Sequence, residues 1–281
     1  MSRSPRAIAP SVGLRERGGS TSPSTAGQRL SFAASVRLEL VKMRRLRLTV
    51  VVLVLAVIAV LFAAPLSESS RAGLDDPSAR PWEALLLQYA LVSALFSPIL
   101  VSVTASRLTD IEHDGGWYLA ATAGLTPGRL CRAKLAALAI VLVPTLVLQT
   151  VALVGVARAG GATVPLAIGV WAGYTAGLIA VDLAVCALHI LLAAVVDNQI
   201  LCVGIGLLGA FIAVYMFLAP QWLARLLPWG YWALICPVTQ TGNHLGEVAI
   251  VMPALSWIAG FLCLAAGCVH VMTARLDRIE R

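Results

Sequence analysis

The densest group of ionisable side chains lies in residues 107–134, which we call the charged segment. Three carboxylates, from Asp110, Glu112 and Asp114, surround His113, and four cations share the segment. Carboxylates and an imidazole at this density suit charge-assisted contact with a basic surface. The same residues form an ordinary solvated cluster when they only balance their basic neighbours. The pattern leaves both interpretations open until the surrounding elements are placed.

No catalytic motif accompanies these groups. The histidines are scattered: His113, His189, His244 and His270. None belongs to HExxH, the helical zinc signature, and the sequence has neither the GxSxG of serine hydrolases nor a CxxC pair among its six cysteines. A P-loop needs GxxxxGK, whereas the only lysines, Lys42 and Lys134, follow valine and alanine. We therefore expect no catalysis, no metal and no cofactor bound by this chain.

Two ionisable residues interrupt the long apolar stretch 164–195. Asp182 lies near its middle, where an ionised carboxylate in a bilayer costs roughly 2.5 to 3.5 kcal/mol. His189 follows about 10.5 Å further along a helix, too far for a direct pair. One hypothesis places both residues on a substrate path or gate, because ionisable residues within membranes often mark functional sites. The alternative is that Asp182 is neutral or hydrogen-bonded to another helix, and that His189 is a hydrogen-bonded core residue.

The chain around these side chains is built largely of apolar residues. Of its 281 residues, 59% are hydrophobic and only 12% are charged, with a mean hydropathy of +0.87. The charged share is about half that of soluble proteins, so we predict an all-α polytopic membrane protein. Six apolar windows approach the roughly twenty residues that a helix needs to cross a bilayer. They are residues 48–66, 84–106, 135–157, 164–195, 200–219 and 248–272.

The residues before the first window divide into two parts. Residues 1–28 are rich in Ser, Arg, Pro and Gly without an apolar period, which predicts a disordered tail. In residues 29–47, Phe32, Val36, Leu40 and Met43 recur at helical spacing, with polar and basic residues on other faces. This pattern is typical of an amphipathic helix in the headgroup plane; a plain extension of the first span is the alternative. The transmembrane domain is then 48–281.

The distribution of lysine and arginine predicts the orientation. With the N-terminus inside, ten lie before the first window, four in the charged segment and three near the C-terminus. Only Arg71, Arg80, Arg158 and Arg225 lie outside. The positive-inside bias predicts that both termini and the charged segment face the cytoplasm, and that residues 220–247 face outwards. Cations clustered beside apolar spans, rather than on one soluble face, argue against nucleic-acid binding.

The charged segment is much longer than a simple connection requires. Gly115 and Gly116 predict a break after an extension of the second helix. A short surface helix that includes Trp117 follows, and Thr126 with Pro127 forms an N-cap and N1 pair for the third helix. Helices joined by such corners would form a compact charged surface, so we predict that this segment docks on a partner. An anchor in the membrane interface is another role open to Trp117.

The sequence EHDGGWYLAATAGLTPGRLCRAKL in this segment resembles a loop of ABC-2 type permeases of the lantibiotic immunity kind. The residues in register are Glu112, Gly116, Trp117, Leu119, Pro127 and Lys134. The resemblance implies a coupling helix between spans 2 and 3 that docks on a separate ABC ATP-binding subunit, and a second permease subunit, identical or different. The docking residues that it implies are Asp110, Glu112, His113, Asp114, Gly116, Trp117 and Leu119.

The resemblance also implies the function and location of the chain. It indicates six spans and the permease subunit of an ATP-driven exporter in a bacterial cell membrane, with ATP and Mg²⁺ on the partner ATPase. The cargo would be hydrophobic or amphipathic, such as an antimicrobial peptide or a drug. The alternatives are a scaffold or sensor that recruits an ATPase without transporting anything, and an intramembrane enzyme.

Residues 220–247 precede the last apolar window. Pro220, Pro228 and Pro237 exclude one continuous helix, so we expect short helices that form an outer hairpin dipping into the membrane. The aromatic residues of this segment, including Trp222, Trp229 and Trp232, suit an interfacial belt, and substrate contact is the alternative.

Overall fold

The computed structural model describes residues 31–113, 115–122, 124–241 and 248–279, and most of them are helical. The helices, in chain order, are α1 Phe32–Arg45, α2 Leu48–Ala63, α3 Glu68–Arg71, α4 Pro81–Asp110, α5 Gly116–Thr122, α6 Pro127–Ala159, α7 Ile168–Val195, α8 Gln199–Tyr215, α9 Gln221–Ala224, α10 Tyr231–Leu234 and α11 Leu255–Ile279. Two strands, β1 Val238–Gln240 and β2 Val248–Ile250, pair antiparallel. The predicted tail, residues 1–28, lies outside the described residues.

Each of the six apolar windows contains a helix, but not every helix is long enough to span a bilayer alone. Four are, by length and composition: α4, α6, α7 and α11. The pair α1 and α2 counts as a fifth when it is taken as one span bent by 68°. Helix α8 has 17 residues, fewer than the roughly twenty that a straight span needs. The described residues therefore support four or five spans, and six remains a prediction.

Helix α1 meets α2 at a sharp corner. Ser31 caps α1, since its hydroxyl accepts a hydrogen bond from the Ala34 amide, and Arg47 adopts a left-handed conformation at the bend. The bend is the shape that a surface helix leading into a span requires. The face of α1 that is buried carries Ser35 and Glu39 beside its apolar residues, whereas Phe32, which began the predicted apolar stripe, is exposed.

Helix α4 is the centre of the bundle and packs against α2, α7 and α8. Small residues let α8 approach closely. A Cβ atom at Gly206 would collide with Ser102 of α4, and one at Gly209 would collide with the ring of Trp229. Helix α8 therefore lies against both α4 and the hairpin that follows it.

The two ends of the bundle are tied by different contacts. At the end we call the hairpin end, Trp82 donates to the Val164 carbonyl and Arg80 to the Val248 carbonyl, which links the start of α4 to the loop before α7 and to β2. At the opposite end, which we call the α5 end, the Gly128 amide donates to Asp277 at 2.8 Å. The start of α6 is thereby fixed to the last turns of α11.

Two sequence predictions need correction. The segment before the last helix is not wholly helical, because residues 248–250 pair with β1; α11 therefore begins at Leu255 rather than at 248. Trp232 is completely buried and so does not belong to an interfacial belt.

Candidate functional site

Four side chains meet in a buried ion cluster at the α5 end: Glu39, Lys42, Glu112 and Lys134. They come from three places in the chain, namely α1, the turn after α4, and α6. Lys42 Nζ lies 2.7 Å from Glu39 Oε1 and 2.6 Å from Glu112 Oε1. Two carboxylates and two ammonium groups balance each other, which meets the requirement that buried charges be paired.

Lys134 is the centre of the ion cluster and has no exposed side-chain surface. Its Nζ donates to Glu39 Oε2 at 2.9 Å, to Glu112 Oε1 at 2.7 Å and to the Leu108 carbonyl at 2.8 Å. An ammonium group has three N–H donors, so all three are used. The third acceptor, the Leu108 carbonyl, lies in the last turn of α4, and Lys134 thus joins α1, α4 and α6 through one atom.

The ion cluster shifts the pKa values of its own members. Burial acts to raise the pKa of the Glu112 carboxyl, but the ammonium groups of Lys134 and Lys42 outweigh it, and the pKa lies below its ordinary value. Burial acts to lower the pKa of Lys42, but hydrogen bonds from its ammonium to Glu112 and Glu39 outweigh it, and that pKa is raised. Both groups are therefore held in their charged forms.

The turn that carries Glu112 is fixed on both sides. The Glu112 amide donates to the Thr109 carbonyl and the His113 amide to the Asp110 carbonyl, which ends α4 in a tight turn. His113 Nε2 lies 2.8 Å from the Ala193 carbonyl near the end of α7, and its Nδ1 lies 3.9 Å from Asp197. The turn after α4 is therefore attached to α7 as well as to α1 and α6.

Gly116 lies against the Glu112 side chain. A Cβ atom at Gly116 would collide with the carboxylate of Glu112 and press on the Ile111 carbonyl, so only glycine leaves the carboxylate in the ion cluster. Gly115 has a φ of 93°, a left-handed conformation that glycine adopts without strain. The predicted break at this glycine pair is thus a corner whose second residue also makes room for the ion cluster.

The remaining predicted docking residues are placed unevenly. Asp110 is the last residue of α4 and is half-buried. Trp117 and Leu119 lie in α5, although their side chains are outside the described part of the chain, and Asp114 is outside it entirely. Tyr118 of α5 has 75% of its surface exposed. The described surface of α5 therefore presents an aromatic ring, while the carboxylate of Glu112 faces inwards.

Asp182 is the second buried acidic site and lies in the middle of α7. Its Oδ2 accepts a hydrogen bond from Ser97 of α4 at 3.0 Å, and its Oδ1 accepts one from Trp232 Nε1 of α10 at 2.8 Å. About 21 Å of helix separates the start of α7 from Asp182. The hairpin therefore reaches deep into the bundle, as a segment dipping into the membrane would.

His189 lies about two turns further along α7 than Asp182, and its side chain is 4% exposed. Its Nδ1 atom has no hydrogen-bond partner among the described residues. Asp182 and His189 lie on the same helix. Among the described residues, only Asp182 of the two has a side chain hydrogen-bonded to other helices. Among the described residues, no group of three or more His, Cys, Asp or Glu side chains is arranged to hold a metal ion.

Sequence reasoning missed the partners of Glu112. Glu39 and Lys42 belong to the polar and basic residues that the helical spacing puts on other faces of α1, and nothing in that spacing pairs them with Glu112 or Lys134. The use of lysine was a sequence signal for this cluster. Only two of the 21 lysines and arginines are lysines, and both belong to the ion cluster. Lysine supplies a compact charge with freely placed donors, which suits a small buried site better than the planar fork of arginine.

Apolar helices long enough to cross a bilayer, with a charged corner built at one end, define a multi-pass membrane protein. The sequence model of the ABC-2 family transporter proteins matches residues 35–213, from α1 into α8. Because this match covers more than half of the chain, the chain belongs to the ABC-2 transporter family. The family consists of transmembrane transport subunits rather than enzymes, and it typically works with an ATP-binding subunit. A search of curated proteins found no match.

Proposed function

We propose that this chain is the permease subunit of an ATP-driven exporter, with a separate ATPase docked on α5 and the turns beside it. A second permease subunit completes the path, and the cargo is a hydrophobic or amphipathic molecule such as an antimicrobial peptide. The resemblance of the charged segment to ABC-2 permeases of the lantibiotic immunity kind supports this cargo and a bacterial cell membrane. The bias of lysine and arginine supports an orientation with the α5 end in the cytoplasm.

The observation that carries this proposal is the ion cluster beside α5. A force applied to α5 by a moving ATPase must reach the spanning helices to be useful. The cluster joins the turn before α5 to α1 and α6 through buried charge-assisted hydrogen bonds, which are shorter and stronger than neutral ones. His113 adds the contact with α7. A movement at α5 is thereby transmitted to four helices rather than absorbed by a loop.

The docking residues take two roles in this proposal. Gly116, Trp117 and Leu119 belong to α5. Asp110, the last residue of α4, and Asp114, which lies outside the described residues, are the acidic groups proposed to contact the ATPase. Glu112 and His113 are positioning residues, because the carboxylate of Glu112 is only 3% exposed and the His113 ring bonds to the Ala193 carbonyl. Replacement of Glu112 would disturb docking by releasing the turn rather than by removing a contact with the ATPase.

Asp182 and His189 are proposed to act in gating, in the middle of α7 and towards its α5 end. Asp182 attaches the hairpin to α7 and α4 through Trp232 and Ser97. If the path opens by a movement of the hairpin, either these hydrogen bonds break or α7 and α4 move together with the hairpin. His189, with an unpaired Nδ1 among the described residues, supplies a polar group two turns further along the same helix.

The test is photo-crosslinking from Tyr118 in the native host. A photoreactive amino acid at this exposed position of α5 should form an adduct with a nucleotide-binding subunit. The matched control places the same amino acid at Trp222, which is 62% exposed at the hairpin end and should form no such adduct. No adduct from position 118, or equal adducts from both positions, would contradict the proposal.

A second measurement separates transport from recruitment. Proteoliposomes that contain the chain and its crosslinked partner should move an amphipathic peptide only when ATP is hydrolysed. An adduct at position 118 without ATP-dependent movement of any amphipathic cargo would instead support the scaffold or sensor. Conversion of a substrate without the partner would support an enzyme.

A further inference from the structure

A long groove opens beside α11 near the hairpin end. It encloses a cavity of about 680 Å³ and is lined along α11 by Ser256, Trp257, Gly260, Phe261, Leu264 and Cys268. The segment 225–228, Tyr231 of α10 and Leu188 of α7 form the opposite side. The volume is in the range of small-molecule sites, and nearly all the lining side chains are apolar.

The length of the groove matches one leaflet of a bilayer. Its lining residues on α11 run from Ser256 to Cys268, which spans about 18 Å of helix at 1.5 Å per residue. Half of a hydrocarbon core of about 30 Å is roughly 15 Å. Because α11 is long and apolar enough to cross a bilayer, the groove extends from the membrane surface to near the midplane. An acyl chain has this shape and lies at this depth.

Among the described residues that line the groove, Arg225 is the only charged one. Its guanidinium lies over the Trp257 ring, with the central carbon 5.2 Å from the ring centroid, near the start of α11. Its Nη2 lies 3.5 Å from Gln221 Oε1, and its Nε is buried without a hydrogen-bond partner among the described residues. Arg225 takes part in none of the ion pairs between described residues. The charge of this partly exposed side chain is therefore not balanced by a described carboxylate near the start of α11.

We propose that this groove binds an anionic phospholipid of the surrounding bilayer. One acyl chain lies along α11 between Trp257 and Cys268, and the lipid phosphate accepts hydrogen bonds from Arg225. Guanidinium donors match phosphate oxygens in geometry and charge. Gly260 leaves the wall of the groove open, since no atom lies within 4 Å of a Cβ built there. This lipid site does not depend on docking of an ATPase or on the identity of the cargo.

The experiment measures lipid retention by the intact purified chain. The protein in an uncharged detergent is titrated with dioleoyl phosphatidylglycerol or dioleoyl phosphatidylcholine, and bound lipids are counted by native mass spectrometry. We expect one phosphatidylglycerol retained in preference to phosphatidylcholine. Arg225→Gln should weaken that retention by roughly tenfold or more, because a charge-assisted contact is lost. Arg71→Gln, which removes another cation from the same predicted side, should leave it unchanged.

A second pair of variants tests the groove itself. Gly260→Leu places a side chain inside the groove and should reduce phosphatidylglycerol retention. Gly267→Leu is the matched control, because it lies on α11, is equally open and does not line the groove. Three results would overturn the proposal: equal retention of the two lipids, equal effects of Arg225→Gln and Arg71→Gln, or a Gly260→Leu variant that changes only the number of chains in the complex. The last result would mean that a second copy covers this face.

Discussion

Two sites in this molecule contain buried carboxyl groups, and different partners compensate the burial at each site. Glu39 and Glu112 at the α5 end are matched by two ammonium groups, and Lys134 alone makes three hydrogen bonds. Among the described residues, Asp182 in the middle of α7 has no cation as a hydrogen-bond partner and accepts from Ser97 and Trp232 alone. The first site joins helices through opposite charges, and the second through two neutral donors.

This difference indicates how each site responds to change. In the ion cluster, removal of one charged member leaves an uncompensated charge, so its four residues behave as a unit. At Asp182, the loss of the carboxyl leaves two neutral donors unpaired, which costs less. The ion cluster is thus suited to hold a corner rigid. The Asp182 site is suited to hold a hairpin that can be released.

The largest effect is expected from Lys134→Met. This change keeps the length of the side chain but leaves Glu39 and Glu112 with Lys42 alone, which costs about 3 to 5 kcal/mol in the free energy of unfolding. The unfolding temperature in detergent, followed by tryptophan fluorescence, should fall strongly. Arg132→Met, two residues away in a partly exposed pair with Asp277, should cost no more than about 1 kcal/mol.

A double variant identifies charge balance as the cause. Glu39→Gln added to Lys134→Met leaves one carboxylate and one ammonium, so it should recover a large part of the lost unfolding temperature. If the double variant were as unstable as the sum of the two single changes, the four residues would not form a coupled network. The distinction between the ion cluster and the Asp182 site would then be lost.

The ion cluster shows which parts of this site were accessible to sequence reasoning. Local chemistry predicts a break at Gly115 and Gly116, a cap at Thr126 and a short helix between them, and the structure has a positive φ at Gly115, α5 at Gly116–Thr122 and a side-chain cap at Thr126. The inward direction of Glu112 was not predicted. It depends on Lys42 and Lys134, which lie 70 and 22 residues away, and local pattern carries no information about such pairing.

A smaller effect is expected at the second site. Asp182→Leu leaves the Trp232 indole and the Ser97 hydroxyl without their acceptor and should cost about 1 to 3 kcal/mol in the free energy of unfolding. Asp182→Asn keeps an acceptor oxygen for the indole and should cost less than about 1 kcal/mol. The two variants are compared by the same thermal measurement.

Trp232→Phe is the matching change on the hairpin. It keeps most of the ring but removes the donor to Asp182, so its effect should resemble that of Asp182→Leu in sign and be no larger. An Asp182→Asn variant as unstable as Asp182→Leu would contradict the neutral hydrogen-bonding account. It would indicate that the charge of Asp182 is required, as it is for the members of the ion cluster.

The burial of the aromatic residues in the hairpin could not be predicted from the sequence pattern. Proline positions correctly predicted short helices there, since α9 and α10 each have four residues. Trp222 and Trp232 have the same residue type in the same segment, yet one is mostly exposed and the other is buried against Asp182. Only the depth reached by α10 distinguishes them, and that depth is set by packing against α4 and α7.

The smallest effect is a pH dependence that belongs to the ion cluster. The pKa of Glu112 is lower in the folded protein than its ordinary value of 4.5, so the unfolded chain binds this proton more readily. The contribution of ionised Glu112 to the free energy of unfolding is therefore fully present at pH values above the ordinary pKa. It is lost as the pH falls through the lowered pKa of the folded protein. The loss should be under about 1 kcal/mol, because the cluster is partly open to water at Lys42.

Glu112→Gln isolates this contribution from the other acidic groups of the cluster and of the chain. The decrease in unfolding temperature between neutral and acid pH should be smaller in Glu112→Gln than in the unchanged protein. Asp75→Asn is a control for a surface carboxyl, because Asp75 is exposed in the loop between α3 and α4, away from the ion cluster, and its replacement should leave α1, α4 and α6 joined. If Glu112→Gln and the unchanged protein lost the same number of degrees, the ammonium groups of Lys42 and Lys134 would not be what holds Glu112 in its charged form.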